Sequence, residues 1–123
     1  IVAVETEGAA SFHAAAQAGH TVQLDQIASI ASSLGAKRVC EQAVQWSKQH
    51  TIQSVLVSDK SAVAACERFL SDHRILVEPA CGASLALAYE NSAALAAFQT
   101  VLVVVCGGAT ATADQLRQWN KTL

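Results

Sequence analysis

Three observations predict an α/β fold in which a parallel sheet is flanked by helices. Apolar, β-branched runs recur at residues 1–4, 54–57, 75–77 and 101–105, the pattern of strands covered on both faces rather than one. Helix-patterned segments separate these runs, and such alternation favours a parallel sheet over an antiparallel sandwich. Finally, 52% of the 123 residues are hydrophobic and 15% are charged. A single domain of that size buries roughly two-thirds of the surface its unfolded chain exposes.

Taken in order, IVAV at residues 1–4 reads as a buried strand whose carboxyl end presents Glu5. After the loop TEGAA, the run SFHAAAQAG reads as a short helix with Ser11 as its N-cap and Gly19 in the left-handed closing position. Residues 25–35 carry Ile27, Ile30, Ala31 and Leu34 on one face between Asp25 and Gly35, which predicts an amphipathic helix. A half-buried helix is predicted over residues 39–50, with Val39, Ala43, Trp46 and His50 along its inner face. A strand follows at residues 54–57. Ser58 and Asp59 then cap a helix striped by Ala62, Cys66, Phe69, Leu70 and His73.

Residues 75–77 return as a strand, and Pro79 stands where a first helical residue is tolerated. The helix it opens, ACGASLALAYENSAALAAF, is apolar on nearly every side in its first half, so deep burial is expected. TVLVVVCGG predicts an uninterrupted strand, and ADQLRQWNK a terminal helix with Leu116 and Trp119 three apart. Ligand sites in sheets of this kind lie beyond the carboxyl ends of the strands. Three such ends matter here: Glu5, Glu78 and Cys106.

Composition excludes several classes. Eight Lys and Arg against ten Asp and Glu give a net charge of −2, the wrong sign for a nucleic-acid footprint. High apolar content with low charge is the reverse of a disordered chain, and one Pro with six Gly excludes collagen-like repeats. The apolar stretch at residues 80–98 is interrupted by Glu90, Asn91 and Ser92, and residues 101–106 fall far short of the roughly 20 a membrane span needs. Cys40, Cys66, Cys81 and Cys106 form no CxxC pair, so free thiols in a reducing cytoplasm are expected rather than a zinc site. The opening IVAVETEG carries no Met or basic leader and reads as an excerpt point.

The most informative local feature is Cys106 followed by Gly107 and Gly108, where a buried strand delivers a thiol to its end and two glycines allow close approach. The same glycines with Thr110 and Thr112 before a helix could cradle an anion, and a tight turn after a core cysteine explains them equally. Glu5 is either a solvated loop acid or a cation ligand, with the Gly8 and Gly35 loops able to aim carbonyls toward it. The EPACGASLALAY segment suits close packing of a core helix. His13, His20, His50 and His73 match no nucleophile pattern and receive no role.

The motifs VETEGAASFHAA, SIASSLGAK, LVEPACGASLALAY and VLVVVCGG, in that order, resemble the C-terminal half of the catalytic domain of the L-serine dehydratase/L-threonine deaminase family, the animal-type enzyme and its dehydratase-like relative above all. The resemblance spans essentially the whole chain. It implies the tryptophan synthase β-type fold, fold type II of the pyridoxal 5'-phosphate enzymes, and an ammonia-lyase that converts serine to pyruvate and ammonia or threonine to 2-oxobutanoate. It places the Cys106 thiol against the pyridine nitrogen of the cofactor, with Gly107 beside it. It also implies a potassium ion held by the Glu5 carboxylate and the carbonyls of Ala9, Leu34 and Ala36, and a cytoplasmic homodimer.

Two departures stand out. Glu7 sits where the family tends to carry an aromatic residue, and the connection at residues 91–100 is shorter than theirs. The family's Schiff-base lysine, its SxKxR motif, its substrate-carboxylate loop and its phosphate-binding glycine run do not occur in these 123 residues. Lys37, Lys48, Lys60 and Lys121 fall on polar faces or loops, where an activated amine is not expected. The whole of residues 1–123 is therefore expected to be the C-terminal portion of a catalytic domain, inactive alone. Two other readings remain open at this level: a truncated, non-catalytic α/β module that pairs with a partner, and an unrelated flavodoxin-like binding domain.

Overall fold

The computed structural model describes residues 1–123. Strands β1 (Val2–Thr6) and β2 (Gln53–Val57) pair in parallel, with Val4 opposite Val55. Between them lie α1 (Ser11–Ala18) and α2 (Glu41–Gln49), and after them α3 (Asp59–His73), α4 (Pro79–Tyr89) and α5 (Ala113–Thr122). The parallel pairing and its helical cover agree with the predicted class.

The core forms where α3 and α4 meet. Val57, Cys66, Val77, Cys81, Ala86 and Leu116 belong to one buried cluster. Within α4, every residue from Cys81 to Leu87 except Ser84 is buried, as its all-round apolar sequence requires. Small residues let the helices approach closely: a Cβ at Gly82 would overlap the Ala62 carbonyl of α3. The Ser58 hydroxyl accepts the Ser61 amide and caps α3, Pro79 opens α4, and Gly19 closes α1 at φ 71°.

Several expected elements take other forms. Residues 25–35 do not form a helix; only a 3-10 turn at Ser32–Leu34 is regular. The Ala28 amide donates to the Gly8 carbonyl (2.9 Å), the Asp59 carboxylate accepts the Ser29 hydroxyl (2.6 Å) and the Ile30 amide (3.1 Å), and Ser29 accepts the Ala31 amide (3.0 Å). These outside partners satisfy the groups a helix would have used, and the serines and β-branched residues are weak helix formers. Ser11 is the first helical residue rather than the cap, which is Ala10. Helix α2 buries Val44 and leaves Trp46 52% exposed, because a short helix lying against α1 covers only a narrow stripe. Helix α4 stops at Tyr89, where Glu90 and Asn91 (φ 51°) lead into a 3-10 turn at Ala93–Leu95.

Residues 75–77 and 101–105 are not strands, since neither run joins a ladder. Their side chains still alternate or bury as strands do: Val77 is fully enclosed, and Val103 and Val105 pack on the core while Leu102 and Val104 are 91% and 65% exposed. The outer edge of β1 is likewise unpaired. Between that edge and residues 101–104 runs an apolar groove of about 290 Å³ lined by Val2, Val4, Leu87, Leu95, Phe98 and Val103 among others. Strand propensity was present in these runs; the neighbouring strand that makes a ladder was not.

Candidate functional site

The turn at Cys106 and Gly107 is built by α4 and the residues before it. Cys106 itself is exposed, at the end of the apolar run 101–105. Cys81, in the first turn of α4 and 3% exposed, accepts the amides of Cys106 (3.2 Å) and Gly107 (3.4 Å) on its sulfur and donates its thiol proton to the Gly107 carbonyl (3.3 Å). The Glu78 amide donates to the same carbonyl at 3.0 Å. Gly108 then passes so close to Leu76 that a Cβ would overlap the Leu76 carbonyl, which is why this position must be bare.

Glu78 ties this turn to the loop that follows α1. One carboxylate oxygen accepts the Ser33 hydroxyl (2.7 Å), and the other accepts both the hydroxyl (2.7 Å) and the amide (3.2 Å) of Thr110. The Ser33 and then the Thr110 hydrogen bonds hold its carboxyl below the usual carboxylate range. The anion cradle considered for Thr110 and Thr112 is thus already occupied. Thr110 serves the Glu78 carboxylate, and Thr112 forms a capping box with Gln115 on α5.

Glu5, 9% exposed inside β1, directs both oxygens at the start of α1, accepting the amides of Phe12 (2.9 Å) and His13 (2.8 Å). A side chain from the sheet therefore does the work that Ala10, lacking a polar side chain, cannot do as N-cap. Ala9 is fully buried in the 3-10 turn between β1 and α1, Leu34 is half-buried, and Ala36 is exposed. The Gly8 and residue-28 backbones touch, and the Thr6 and Ser29 hydroxyls pair at 2.8 Å, so the loop carrying Leu34 and Ala36 is docked on the turn carrying Glu5 and Ala9. The Leu34 carbonyl accepts the Ala36 amide (2.8 Å) and keeps a second lone pair.

The sequence pattern assigns Cys81 and His13 no part in the site. Cys81 looked like an ordinary core thiol. Asp59 was read only as a cap, whereas its carboxylate anchors the loop through Ser29 and Ile30. His13 joins Gln17 on α1 to Ser54 on β2 through its two ring nitrogens (2.9 Å each), a packing link that spacing in the sequence does not reveal.

Cys66 gives this region a pH signature. Burial, and then the neighbouring Cys81, push its thiol from 9.0 up to about 12, and it donates to the Glu78 carbonyl at 3.2 Å. The unfolded chain releases this proton near pH 9.0 while the folded chain keeps it until about pH 12. The stabilisation is thus fully present below the lower value and is lost as pH rises through that window. Denaturant midpoints should fall from about pH 9 towards about pH 12, and Cys66→Ala should flatten that decline; an equally steep decline in the variant would show that other groups cause it.

Residues 1–107 match the family described as pyridoxal-phosphate dependent enzymes. The chain belongs to that family. Within it, the chain is 46% identical to the mouse protein "Serine dehydratase-like" over 96% of its own length and 38% of the relative's. It is 43% identical to the human "L-serine dehydratase/L-threonine deaminase" over its full length and 40% of that protein. A fungal L-serine ammonia-lyase from Rhizomucor miehei superposes with a TM-score of 0.86 at 29% identity, covering 98% of this chain and 40% of that one. The chain of this pyridoxal-phosphate family member therefore spans about two-fifths of the relatives it matches. Its family membership replaces the flavodoxin-like reading.

The residues present fit one end of such a cofactor. Cys106 offers an exposed thiol on a backbone held from two sides, beside a residue with no side chain to obstruct a ring. Lys37, Lys48, Lys60 and Lys121 are all exposed. No cluster of three or more His, Cys, Asp or Glu that could hold a metal ion forms. No helix is long and apolar enough to cross a membrane.

Proposed function

We propose that residues 1–123 are the C-terminal portion of the catalytic domain of a pyridoxal-phosphate dependent L-serine/L-threonine ammonia-lyase, which eliminates water from serine and yields pyruvate and ammonia. The carrying observation is the 43% identity to a human L-serine dehydratase/L-threonine deaminase across the full chain. The cofactor would supply an electron sink for the carbon that loses its proton. Cys106 would meet the ring nitrogen with a thiol, and Gly107 would leave the ring's edge clear. Glu5 with the carbonyls of Ala9, Leu34 and Ala36 would hold potassium and so order the loops around the cofactor. The covalent lysine would come from another part of the polypeptide.

The open groove beside β1 supports the domain assignment. An unpaired parallel edge with Leu102 and Val104 largely exposed is costly for a free-standing module, and more chain, as the relatives possess, would cover it. Four unbridged cysteines support a reducing compartment such as the cytoplasm, and the resemblance supports a homodimer.

A thiol at Cys106 would hold a proton on the ring nitrogen less firmly than a carboxylate would, so the ring would act as a modest electron sink. Elimination tolerates this because the hydroxyl leaves as charge builds. Cys106→Asp in the intact enzyme should accordingly raise transamination and racemisation relative to pyruvate formation. Product analysis by chiral chromatography checks this, and an unchanged partition would count against the assignment of Cys106.

A further inference from the structure

We infer that Cys81 is a positioning residue for Cys106: its sulfur holds the Cys106–Gly107 backbone and thereby sets the direction of the Cys106 thiol. The inference rests on the reading of Cys106 as the partner of the cofactor ring. Its observations are separate from that reading. The Cys106 and Gly107 amides have no acceptor in the chain other than the Cys81 sulfur, at 3.2 and 3.4 Å. The same sulfur donates to the Gly107 carbonyl, which also accepts the Glu78 amide. All the hydrogen bonds made by the backbone on either side of the Cys106 side chain thus run to the first turn of α4 and the residue preceding it.

Sulfur suits this task. One sulfur atom reaches two successive amides and the Gly107 carbonyl, because a thiol can accept and donate at once. Cys81 cannot easily swing away, because it is enclosed in the core cluster with Cys66, Val77 and Ala111.

The test uses the intact holoenzyme carrying Cys81→Val, which fills the volume without an acceptor, and Cys81→Ser, which keeps one. Three quantities are read: hydrogen exchange at the Cys106 and Gly107 amides, the alkylation rate of Cys106 in the apoprotein with exposed Cys40 as reference, and the cofactor absorption band. Cys81→Val should speed exchange at both amides about tenfold, change the Cys106 to Cys40 alkylation ratio and shift the band, while Cys81→Ser restores all three toward wild type. If Cys81→Val does not fold, Cys81→Ala carries the same readings. Unchanged exchange at the two amides, even with lowered thermal stability, overturns the inference. So does a band that moves in Cys106→Ala but not in Cys81→Val. A band that stays put in Cys106→Ala defeats the ring-partner reading itself, and the positioning role falls with it.

Discussion

Gly82→Ala should lower stability by about 3 kcal/mol, at the upper end of ordinary overpacking, and Gly82→Val should leave little folded protein. The added carbon would overlap the Ala62 carbonyl and lie 2.6 Å from the Cys66 sulfur. Ala62 belongs to the backbone of α3, so relief requires the two central helices to separate. That movement would loosen Val57, Ala65, Leu85 and Leu116, which pack in the same cluster. Helix propensity opposes this outcome, because alanine is favoured over glycine inside a helix by about 1 kcal/mol. The overlap outweighs it. Thermal unfolding should show a drop on the order of 10 °C for Gly82→Ala, and a variant as stable as wild type would mean that α3 and α4 are not packed at this distance.

Glu5→Ala should cost about 2–3 kcal/mol, because two amides at the start of α1 lose their acceptor and Ala10 offers no replacement. Glu5→Gln keeps one oxygen and loses the charge that complements the helix dipole, so its loss should be about half as large. Denaturant midpoints check both. The proposed potassium ion adds a second consequence in the intact enzyme. Glu5→Gln should weaken cofactor affinity and its dependence on potassium even where α1 remains folded. Wild-type cofactor affinity that is unaltered in potassium-free buffer would leave Glu5 as a helix cap alone.

The two roles of Glu5 illustrate how much of the site was legible beforehand. Its position at the end of an apolar run marked it as a residue that a sheet presents to a loop. Nothing in that pattern showed that its oxygens reach the amides of Phe12 and His13, because the contact depends on how sharply the chain turns through Glu7–Ala9. Glu78 was flagged on the same grounds, and its partners Ser33 and Thr110 lie 45 and 32 residues away. Cys81 carried no local signal, since a cysteine in an apolar helix is usually core. The misread segment at residues 25–35 fails for a related reason. Its apolar spacing is helical, but Gly8 and Asp59, both outside the segment, take its hydrogen bonds.

What the sequence by itself determined is whatever rests on neighbours a few residues apart: the strand character of residues 2–4 and 54–57, the cap at Ser58, Pro79 opening α4, the deep burial of α4 and the glycines after Cys106. Only the tertiary structure decided which polar groups meet across the chain, and whether apolar runs such as 101–105 acquire a ladder. The physical reason is that periodicity records which face of a segment avoids water, whereas a hydrogen bond or a strand pairing also needs a partner brought from elsewhere in the fold.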